Sequence, residues 1–397
     1  MKRMKKLLVV GAGFLQDFVI KKAKAMGYET LAVDMDPDAI GFKHADKHKI
    51  INIVDEEACY QYAKEENIDG VLTAATDYGV LTAAYIAEKL GLPGISYESA
   101  KRIKNKYLVR KCLFENKVDD TAQSYEVNEN TSIDEIKDII TYPVIVKPCD
   151  GSGSRGTTRV DDAEELLNAC TFAINSSLCR KAEIEPFIEG NEYGVESLVV
   201  NGEIHVLGVM KKWMTKPPYY AELGHAMPSG LPSEIENKAI RCAANAIKAL
   251  NITSGSVNMD MIITNEGDIH IVDIGARMGG NMIGPCIIPY GTGISYVENM
   301  IRNAVGDELD WSIRPHKSVA TRLLTFDNGL VKRLPNFEDI EKKNNVEIYH
   351  HLNIGDMVHE YHTNLDGCGY IVVKNDDVDE AVTIAKNLLS DIREYIL

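Results

Sequence analysis

Short apolar runs alternate with helical periodicity along the first hundred residues. Leu7–Val10, Thr30–Val33 and Gly70–Thr73 are apolar runs that predict buried strands, and segments of helical periodicity lie between them. Strands that alternate with helices form a parallel sheet that is covered on both faces. This part of the chain is therefore predicted to be a doubly wound α/β unit.

After Pro93 the pattern changes to a mixture of helices and antiparallel strands. One helix is expected over 99–116, and the dipeptide Asn201-Gly202 is a strong signal for a hairpin turn. Further helices are predicted over 232–250 and 377–395, with short strands before the last helix. The remainder of the chain is therefore predicted to be α+β.

The chain has 397 residues, a net charge of −16 and a sequence pI near 5.1. This length predicts two or three domains. The acidic balance argues against nucleic acid as a partner, because phosphate backbones are bound by surplus Lys and Arg. The eight cysteines show no Cys-x-x-Cys spacing, and no apolar run reaches the length of a membrane span. We expect a cytoplasmic protein with reduced thiols and no membrane partner.

The segment Gly11-Ala12-Gly13 follows the first predicted strand and suggests one alternative function. Asp34 lies about 20 residues further on, where a dinucleotide fingerprint has a ribose-binding acid, but Gln16 occupies the place of the third glycine. A nicotinamide- or flavin-dependent oxidoreductase is this alternative. The interpretation we favour is a tight turn beside a ligand crevice.

A lysine at the end of an apolar strand marks a second candidate site. Val144–Lys147 is this strand, and the stretch 151–156 behind it holds three glycines and two serines. A buried ammonium is costly unless it meets an anion, and glycine-rich loops offer backbone N–H groups to phosphates. The alternative is a flexible hairpin loop whose lysine reaches solvent. The candidate phosphate ligands are Lys147, Gly151, Ser152, Gly153 and Ser154.

The hairpin over 258–275 allows a geometric prediction. If Asn265 pairs with Asp268 at the tip, Asp260 and Asp273 face each other directly, with Cβ atoms about 5 Å apart. Like charges so placed repel unless a divalent cation lies between them, and carboxylate oxygens suit Mg²⁺. Asp260 and Asp273 are therefore candidate metal ligands, with protonated or solvated carboxylates as the alternative. A bulged turn would shift the register and separate them.

Arg277 lies in the glycine-rich segment that follows this hairpin. It is a candidate salt-bridge partner of the two carboxylates. It is also a candidate for neutralising the charge that develops in phosphoryl or acyl transfer, because its planar guanidinium has five donors.

Taken in order, these segments resemble the ATP-grasp superfamily, and the resemblance covers the whole chain. It implies an α/β and α+β fold in three parts. These are a Rossmann-like pre-ATP-grasp domain over 1–104, a two-lobed ATP-grasp domain over 105–312 and a small β-rich C-terminal domain over 313–397.

The resemblance also implies a role for individual residues. The family's lysines that contact ATP phosphates, its adenine-contacting linker and its ribose-binding acid match, in that order, Lys106, Lys147, Glu185, Phe187, Ile188 and Glu192. The residues matched to metal binding and to catalysis are Asp260, Asp273, Lys147 and Arg277. The cofactors so implied are ATP and Mg²⁺, with Mn²⁺ as an alternative metal.

Two departures from the family pattern bear on function. Gly275 stands where the family motif often has an asparagine that completes the metal site. The segment Ala276–Gly280 differs from the purine-biosynthetic members and looks more like amino-acid ligases. The activity implied is activation of a small carboxylate, such as an amino acid, as an acyl phosphate for attack by an amine. The candidate substrate residues are Asp77, His225 and Arg277.

Several alternatives stay open at this point. The loop 219–225, which holds two tyrosines, an acid and His225, would cap the acyl site or merely pack on the C-terminal domain. The enzyme could instead be phosphoribosylglycinamide synthetase-like or biotin-carboxylase-like, with carbamoyl-phosphate synthase as a further relative. A nucleotide-binding protein without ligase chemistry is the alternative of another class. The identities of the two substrates and the oligomeric state stay open, with a homodimer as one arrangement.

Overall fold

The computed structural model describes residues 3–151, 156–216 and 219–396. The predicted phosphate ligands Ser152, Gly153 and Ser154 therefore lie outside the described residues. Within these ranges no helix is both long and apolar enough to cross a membrane.

The N-terminal unit is a four-stranded parallel sheet with strand order β3-β2-β1-β4, flanked by helices. Its elements are β1 (Lys6–Val10), α1 (Phe14–Ala25), β2 (Glu29–Asp34), β3 (Lys47–Ile50), α2 (Glu56–Glu66), β4 (Gly70–Thr73), α3 (Val80–Leu90) and α4 (Tyr97–Ile103). The sequence analysis predicted β1, β2 and β4 but missed β3. Every residue of β3 is exposed, so this edge strand carries no apolar run to reveal it.

A small lobe built on an antiparallel sheet follows, with strand order β5-β8-β6-β7. Its elements are α5 (Lys106–Glu115), β5 (Tyr125–Asn128), α6 (Ile133–Ile136), β6 (Val144–Pro148), β7 (Thr158–Val160), α7 (Ala163–Ser176) and β8 (Lys181–Pro186). The single helix predicted over 99–116 is wrong. Asn105 interrupts it, because its side chain accepts a hydrogen bond from the backbone N–H of Leu108 (3.1 Å) and so caps a new helix. Lys106 is thereby the first residue of α5.

A large lobe and the C-terminal part share one eight-stranded sheet. The large lobe consists of β9 (Asn191–Val200), β10 (Glu203–Met214), β11 (Glu222–Met227), α8 (Ser233–Ala249), β12 (Gly255–Ile263), β13 (Ile269–Gly275), a π-helix (Ile283–Ile287), α9 (Ile288–Thr292) and α10 (Tyr296–Ala304). The C-terminal part consists of β14 (Ser318–Leu323), β15 (Gly329–Leu330), α11 (Phe337–Asn344), β16 (Val346–His350), β17 (Met357–Val358), a 3₁₀-helix (Asn364–Asp366), β18 (Gly369–Asn375) and α12 (Val378–Ile396).

The strand order of this sheet is β13-β12-β9-β10-β11-β14-β18-β16. β11 pairs with β14, so the C-terminal strands continue the large-lobe sheet without a break. The predicted hairpin turn at Asn201-Gly202 joins β9 to β10, with both residues at positive φ. The boundary at residue 313 stays a prediction, because the sheet itself runs across it.

In the hairpin of β12 and β13 the predicted carboxylate pair is present, but the strand register that produces it differs from the prediction. Asp260 and Asp273 are direct cross-strand partners, as expected. The expected tip is wrong, because Thr264 donates its backbone N–H to the carbonyl of Asp268 (3.0 Å), which shifts the turn by one residue. A β-bulge at Val272, which has no partner across the hairpin, shifts the register back.

Candidate active site

A cavity of about 930 Å³ lies between the two lobes, and the N-terminal unit and the C-terminal part also border it. This volume is in the range of small-molecule and cofactor sites. The structure brings almost all of the described candidate residues to its wall. These lining residues are Asp77, Lys106, Lys147, Gly151, Glu185, Phe187, Ile188, Glu192, Asp260, Asp273 and Arg277.

His225 is the described candidate residue that does not line this cavity. It lies on β11 directly opposite Lys212 of β10, and only 1% of its surface is exposed. Burial lowers the pKa of its imidazole to about 4. This buried position outside the cavity lining gives the predicted substrate-binding role no support, and that role stays a prediction.

Lys147 is buried and paired rather than turned towards solvent. Its ammonium contacts the carboxylate of Glu185 at 2.5 Å and donates a hydrogen bond to the backbone carbonyl of Val272 at 3.2 Å. Glu183, the fully buried cross-strand partner of Lys147, lies 3.9 Å from its ammonium. The bulge therefore does two things: it aligns the two hairpin aspartates and presents a carbonyl of the large lobe to this lysine.

Lys106 contacts one of the two hairpin carboxylates. Its ammonium lies 2.5 Å from Asp273. Burial raises the pKa of Asp273, but Lys106 and the more distant charges of Lys147 and Arg277 outweigh burial and lower the pKa to about 2. Asp273 is therefore a carboxylate at neutral pH, which excludes the alternative in which this member of the pair is protonated.

Asp260, the other hairpin carboxylate, belongs to a cluster around a buried lysine that the sequence analysis missed. Lys212 lies at the centre with 1% of its side chain exposed, and it contacts Asp260 at 2.7 Å, Glu222 at 2.8 Å and Glu192 at 3.5 Å. We call these four residues the Lys212 cluster. Burial alone would lower the pKa of Lys212, but the three carboxylates outweigh it and raise the pKa well above its ordinary value. The cluster links the predicted ribose-binding acid to a predicted metal ligand.

Arg277 forms a bidentate ion pair with Asp77 of the N-terminal unit and not with the hairpin carboxylates. The two distances are 3.0 Å from Nε and 3.3 Å from Nη2. A third guanidinium nitrogen donates to the amide oxygen of Asn258 at 3.3 Å. Gly275 leaves room for this arrangement, because a Cβ there would lie 3.0 Å from Cζ of Arg277 and 3.2 Å from the Asp77 carboxylate.

Asn258 is the cross-strand partner of Gly275. The family motif often has an asparagine at the position of Gly275. Here the asparagine lies directly opposite that position, on the neighbouring strand. Its nitrogen donates to Glu196 at 2.9 Å, and Glu196 also accepts from the hydroxyl of Tyr296 and the backbone N–H of Gly279. Burial raises the pKa of Glu196 to about 7. This network fixes the backbone on both sides of Arg277.

The Gly11-Ala12-Gly13 turn is not among the residues that line the cavity. Asp34, the candidate ribose-binding acid of a dinucleotide site, accepts the backbone N–H of Ala12 at 2.8 Å and so stabilises its own turn. Gln16 packs against Gly11 and donates to the carbonyl of Ala74. The geometry supports a structural turn and gives the oxidoreductase alternative no support.

The carboxylate pair suits a metal ion that also binds a phosphate. Among the described residues no three His, Cys, Asp or Glu side chains form a metal site by themselves. Mg²⁺ is commonly held by one or two carboxylates together with substrate phosphates and water. Asp260 and Asp273 fit that donor set, because the phosphate-binding candidates Lys106 and Lys147 line the same cavity.

Comparison with known families agrees with this geometry. Residues 140–285 match the family model of the ATP-grasp domain. The chain therefore contains an ATP-grasp domain. Residues 322–396 match the L-amino acid ligase C-terminal domain 2, so the ATP-grasp domain of this protein is followed by a C-terminal domain of that type.

Two solved structures share the fold of this chain over nearly its whole length. The L-amino acid ligase from Bacillus licheniformis has a TM-score of 0.84 at 22% identity, covering 99% of this chain and 98% of that chain. Phosphoribosylglycinamide synthetase from Anaerococcus prevotii has a TM-score of 0.79 at 22% identity, covering 98% of both chains. The predicted fold class is confirmed; at this identity the likeness shows the fold alone.

Among curated relatives, the L-arginine-specific L-amino acid ligase of Bacillus subtilis is 23% identical over 285 residues, which are 68% of this chain and 66% of that protein. The chain spans about half the length or less of other curated relatives that it matches, 54% of one and 29% of another.

Proposed function

We propose that this ATP-grasp protein is an ATP-dependent carbon–nitrogen ligase. It activates the carboxylate of an amino acid as an acyl phosphate, which an amine then attacks. The observation that carries the proposal is one cavity that is lined by Lys106, Lys147, Asp260 and Asp273 and also by the Arg277–Asp77 ion pair.

The ATP assignment rests on residues from both lobes. Lys106 and Lys147 would exchange their present carboxylate partners for phosphate oxygens. Phosphate oxygens, like carboxylates, accept strong charge-assisted hydrogen bonds. The backbone of Phe187 and Ile188 would contact adenine, and Glu192 would accept hydrogen bonds from the ribose. Each of these residues borders the cavity.

Asp260 and Asp273 would hold Mg²⁺ or Mn²⁺, since both metals prefer oxygen ligands. When bound, the metal would neutralise charge on the terminal phosphates. Metal binding to this pair would also require Lys106 and Lys212 to lose or share their present carboxylate contacts, at 2.5 and 2.7 Å.

The reaction has two steps. A carboxylate oxygen of the amino acid attacks the γ-phosphorus of ATP, the bond to the ADP oxygen breaks, and ADP leaves. The amine nitrogen then attacks the carbonyl carbon, phosphate leaves, and the nitrogen gives up a proton to form the amide. Arg277 would donate to the carboxylate and then to the acyl phosphate, while the lysines hold the transferred group in line.

Two facts favour an amino acid as the carboxylate. The C-terminal part matches the L-amino acid ligase C-terminal domain 2. That part also contributes Thr363, Asn364 and Tyr370 to the cavity wall, so it borders the site directly. At the start of β11, Tyr220 and Glu222 line the cavity, while the ring of Tyr219 stacks on that of His362 in the C-terminal part, with centroids 3.9 Å apart.

Location and assembly complete the proposal. A cytoplasmic enzyme with small-molecule substrates and no nucleic-acid or membrane partner is expected from composition, and a homodimer stays an alternative to the monomer.

The test is hydroxylamine trapping. The enzyme is incubated with ATP, Mg²⁺ and a panel of amino acids, and hydroxamate and ADP are measured together. Amino-acid-dependent hydroxamate is the expected result. The Asp273→Asn variant should lose this activity, whereas Asp268→Asn, a matched change at the exposed hairpin tip, should keep it. If no amino acid gives hydroxamate but bicarbonate or phosphoribosylamine with glycine supports ADP release, the carboxylase-like or purine-biosynthetic alternative replaces the proposal.

A further inference from the structure

His270 is a buried histidine on the cavity wall that the nucleotide and metal assignments leave without a role. It lies on β13 with 8% of its surface exposed, and its Nδ1 is 3.1 Å from Oγ1 of Thr121. Both residues line the cavity. Within the described residues Nε2 of His270 has no hydrogen-bond partner, and it is not sealed from solvent. This nitrogen therefore opens onto the cavity.

The register of the large sheet places His270 beside residues assigned to the nucleoside. Ile262 of β12 is the cross-strand partner of His270 on one side and of Glu192, the proposed ribose ligand, on the other. All three side chains line the cavity. Two strand spacings, about 10 Å, separate Glu192 from His270. A nucleoside whose ribose binds Glu192 can therefore lie over Ile262 with the outer edge of its base at His270.

A chain of contacts also joins His270 to the segment assigned to adenine. Thr121, its neighbour, donates from Oγ1 to Asp119 at 3.0 Å, and Asp119 pairs with Arg110 at 2.7 Å. Arg110 in turn lies 3.8 Å from Glu185, the first residue matched to the adenine-contacting linker. Arg110 and Glu185 line the same cavity. His270 is therefore at the base end of the proposed nucleotide site.

The same contacts determine which nitrogen of His270 carries a proton. Asp119 pairs with Arg110, so it is a carboxylate that only accepts hydrogen bonds. The single hydroxyl proton of Thr121 goes to Asp119, and the oxygen of Thr121 therefore accepts from Nδ1–H of His270. Burial lowers the pKa of the imidazole and outweighs the opposing effect of the nearby aspartates, so the ring is neutral at pH 7. Nε2 is then an unprotonated acceptor.

An acceptor at this position suits the 6-amino group of adenine, which donates hydrogen bonds. Hypoxanthine and guanine carry a 6-oxo group instead, which only accepts. A 6-oxo group facing Nε2 would oppose two acceptors with no proton between them, and an unpaired polar group in a buried site is costly.

We propose that His270 accepts a hydrogen bond from the 6-amino group of adenine through Nε2 and thereby selects ATP over nucleotides with a 6-oxo base. Thr121 is the positioning residue that fixes the tautomer of His270. This inference rests on the ATP site of the proposed function and adds to it a residue that determines base specificity.

The test measures the binding of three nucleotides with Mg²⁺ by calorimetry. They are ATP, inosine 5′-triphosphate, which has a 6-oxo group, and purine riboside 5′-triphosphate, which has only hydrogen at position 6. His270→Phe should weaken ATP binding roughly three- to tenfold, the worth of one hydrogen bond, and leave the affinity for purine riboside triphosphate nearly unchanged. His359→Phe, at an exposed histidine outside the cavity lining, is the control and should bind all three as the wild type does.

Equal losses for ATP and purine riboside triphosphate in His270→Phe, or no loss for either, overturn the inference. A wild type that binds inosine triphosphate as tightly as ATP does the same. A wild type that binds no ATP overturns the proposed function as well.

A second variant decides the question if His270→Phe does not fold. Thr121→Val removes the hydroxyl with little change of shape, so that either nitrogen of His270 can carry the proton. The ratio of ATP affinity to inosine triphosphate affinity should fall several-fold in this variant. An unchanged ratio would show that the tautomer of His270 does not select the base, and the inference would be wrong.

Discussion

Two buried lysines border the same cavity, yet they are stabilised in different ways. Lys147 ends β6 and meets Glu183 and Glu185, which lie on the neighbouring strand β8. Lys212 lies within β10 and meets three carboxylates that come from three other strands, β9, β11 and β12. The carboxylates of the first site come from one neighbouring strand, whereas the second site exists only after the large sheet has formed.

The difference explains why one lysine could be predicted and the other could not. Lys147 interrupts an apolar strand directly before a glycine-rich segment, and that local signal points to an anion. Lys212 follows Lys211 and precedes Trp213. In the sequence this segment resembles an ordinary exposed strand. The burial of Lys212 depends on carboxylates from three other strands, and no pattern in the sequence around residue 212 indicates them.

The largest effect is expected when Lys212 is replaced. Lys212→Met leaves three carboxylates in the Lys212 cluster without their shared cation, and breaking a buried ion pair typically costs about 3–5 kcal/mol. The free energy of unfolding, measured by denaturant titration, should fall by about that amount. Lys147→Met should cost less, because Arg110 remains 3.8 Å from Glu185.

Lys211→Met is the matched control on the same strand and should change stability by no more than about 0.5 kcal/mol. Equal stability losses for the changes at 147 and 212 would contradict the comparison.

The strand β9 carries two acids, Glu192 and Glu196, that are stabilised in different ways, and the pH dependence of stability distinguishes them. Glu192 has a lysine partner, whereas Glu196 is satisfied by Tyr296, Asn258 and a backbone N–H. Burial raises the pKa of Glu196 from 4.5 to about 7. The folded state therefore holds this proton more tightly than the unfolded chain, so the stabilising contribution is full below pH 4.5 and is lost as pH rises towards 7.

The loss amounts to at most roughly 3 kcal/mol, at about 1.4 kcal/mol per pKa unit. The difference in unfolding free energy between the wild type and Glu196→Gln should decline by up to that amount between pH 4.5 and 7. Denaturant titrations of both proteins across this range measure it. Parallel pH profiles would show that Glu196 ionises normally.

The smallest effect concerns ligand binding at Lys147, the lysine whose carboxylate partners lie on a single strand. Lys147→Ala should weaken ATP binding by about 1.5–3 kcal/mol, the worth of a hydrogen bond to a charged group. Calorimetric titration with ATP and Mg²⁺ measures it. Lys181→Ala is the control, because this lysine of β8 pairs with Glu126 at 2.9 Å away from the cavity wall. If Lys147→Ala bound ATP with wild-type affinity, Lys147 would not be an ATP ligand.

The sequence predicted what depends on short-range patterns. The strands β1, β2 and β4, the turn at Asn201-Gly202 and the helices α8 and α12 all follow from periodicity or turn chemistry. The strand β3 was missed because exposed edge residues carry no apolar pattern. The break at Asn105 was missed because a cap inside a polar helix differs little from an ordinary helix position.

The site shows the same division. The facing aspartates could be predicted because a hairpin relates them, although the tip register was wrong and the bulge at Val272 restored it. The pairing of Arg277 with Asp77 spans 200 residues. The Lys212 cluster likewise joins segments that lie on four different strands. No local pattern reports such contacts, because they are set by how the sheet and the domains pack.

The central claim is that an amino-acid carboxylate attacks ATP, and oxygen-isotope transfer tests it most directly. The enzyme is supplied with an amino acid labelled with ¹⁸O in its carboxylate, together with ATP, Mg²⁺ and an amine, and the phosphate released is analysed by mass spectrometry. The account predicts that each turnover delivers one ¹⁸O from the amino acid to phosphate. Phosphate that carries no label while the amide accumulates would contradict the acyl-phosphate account.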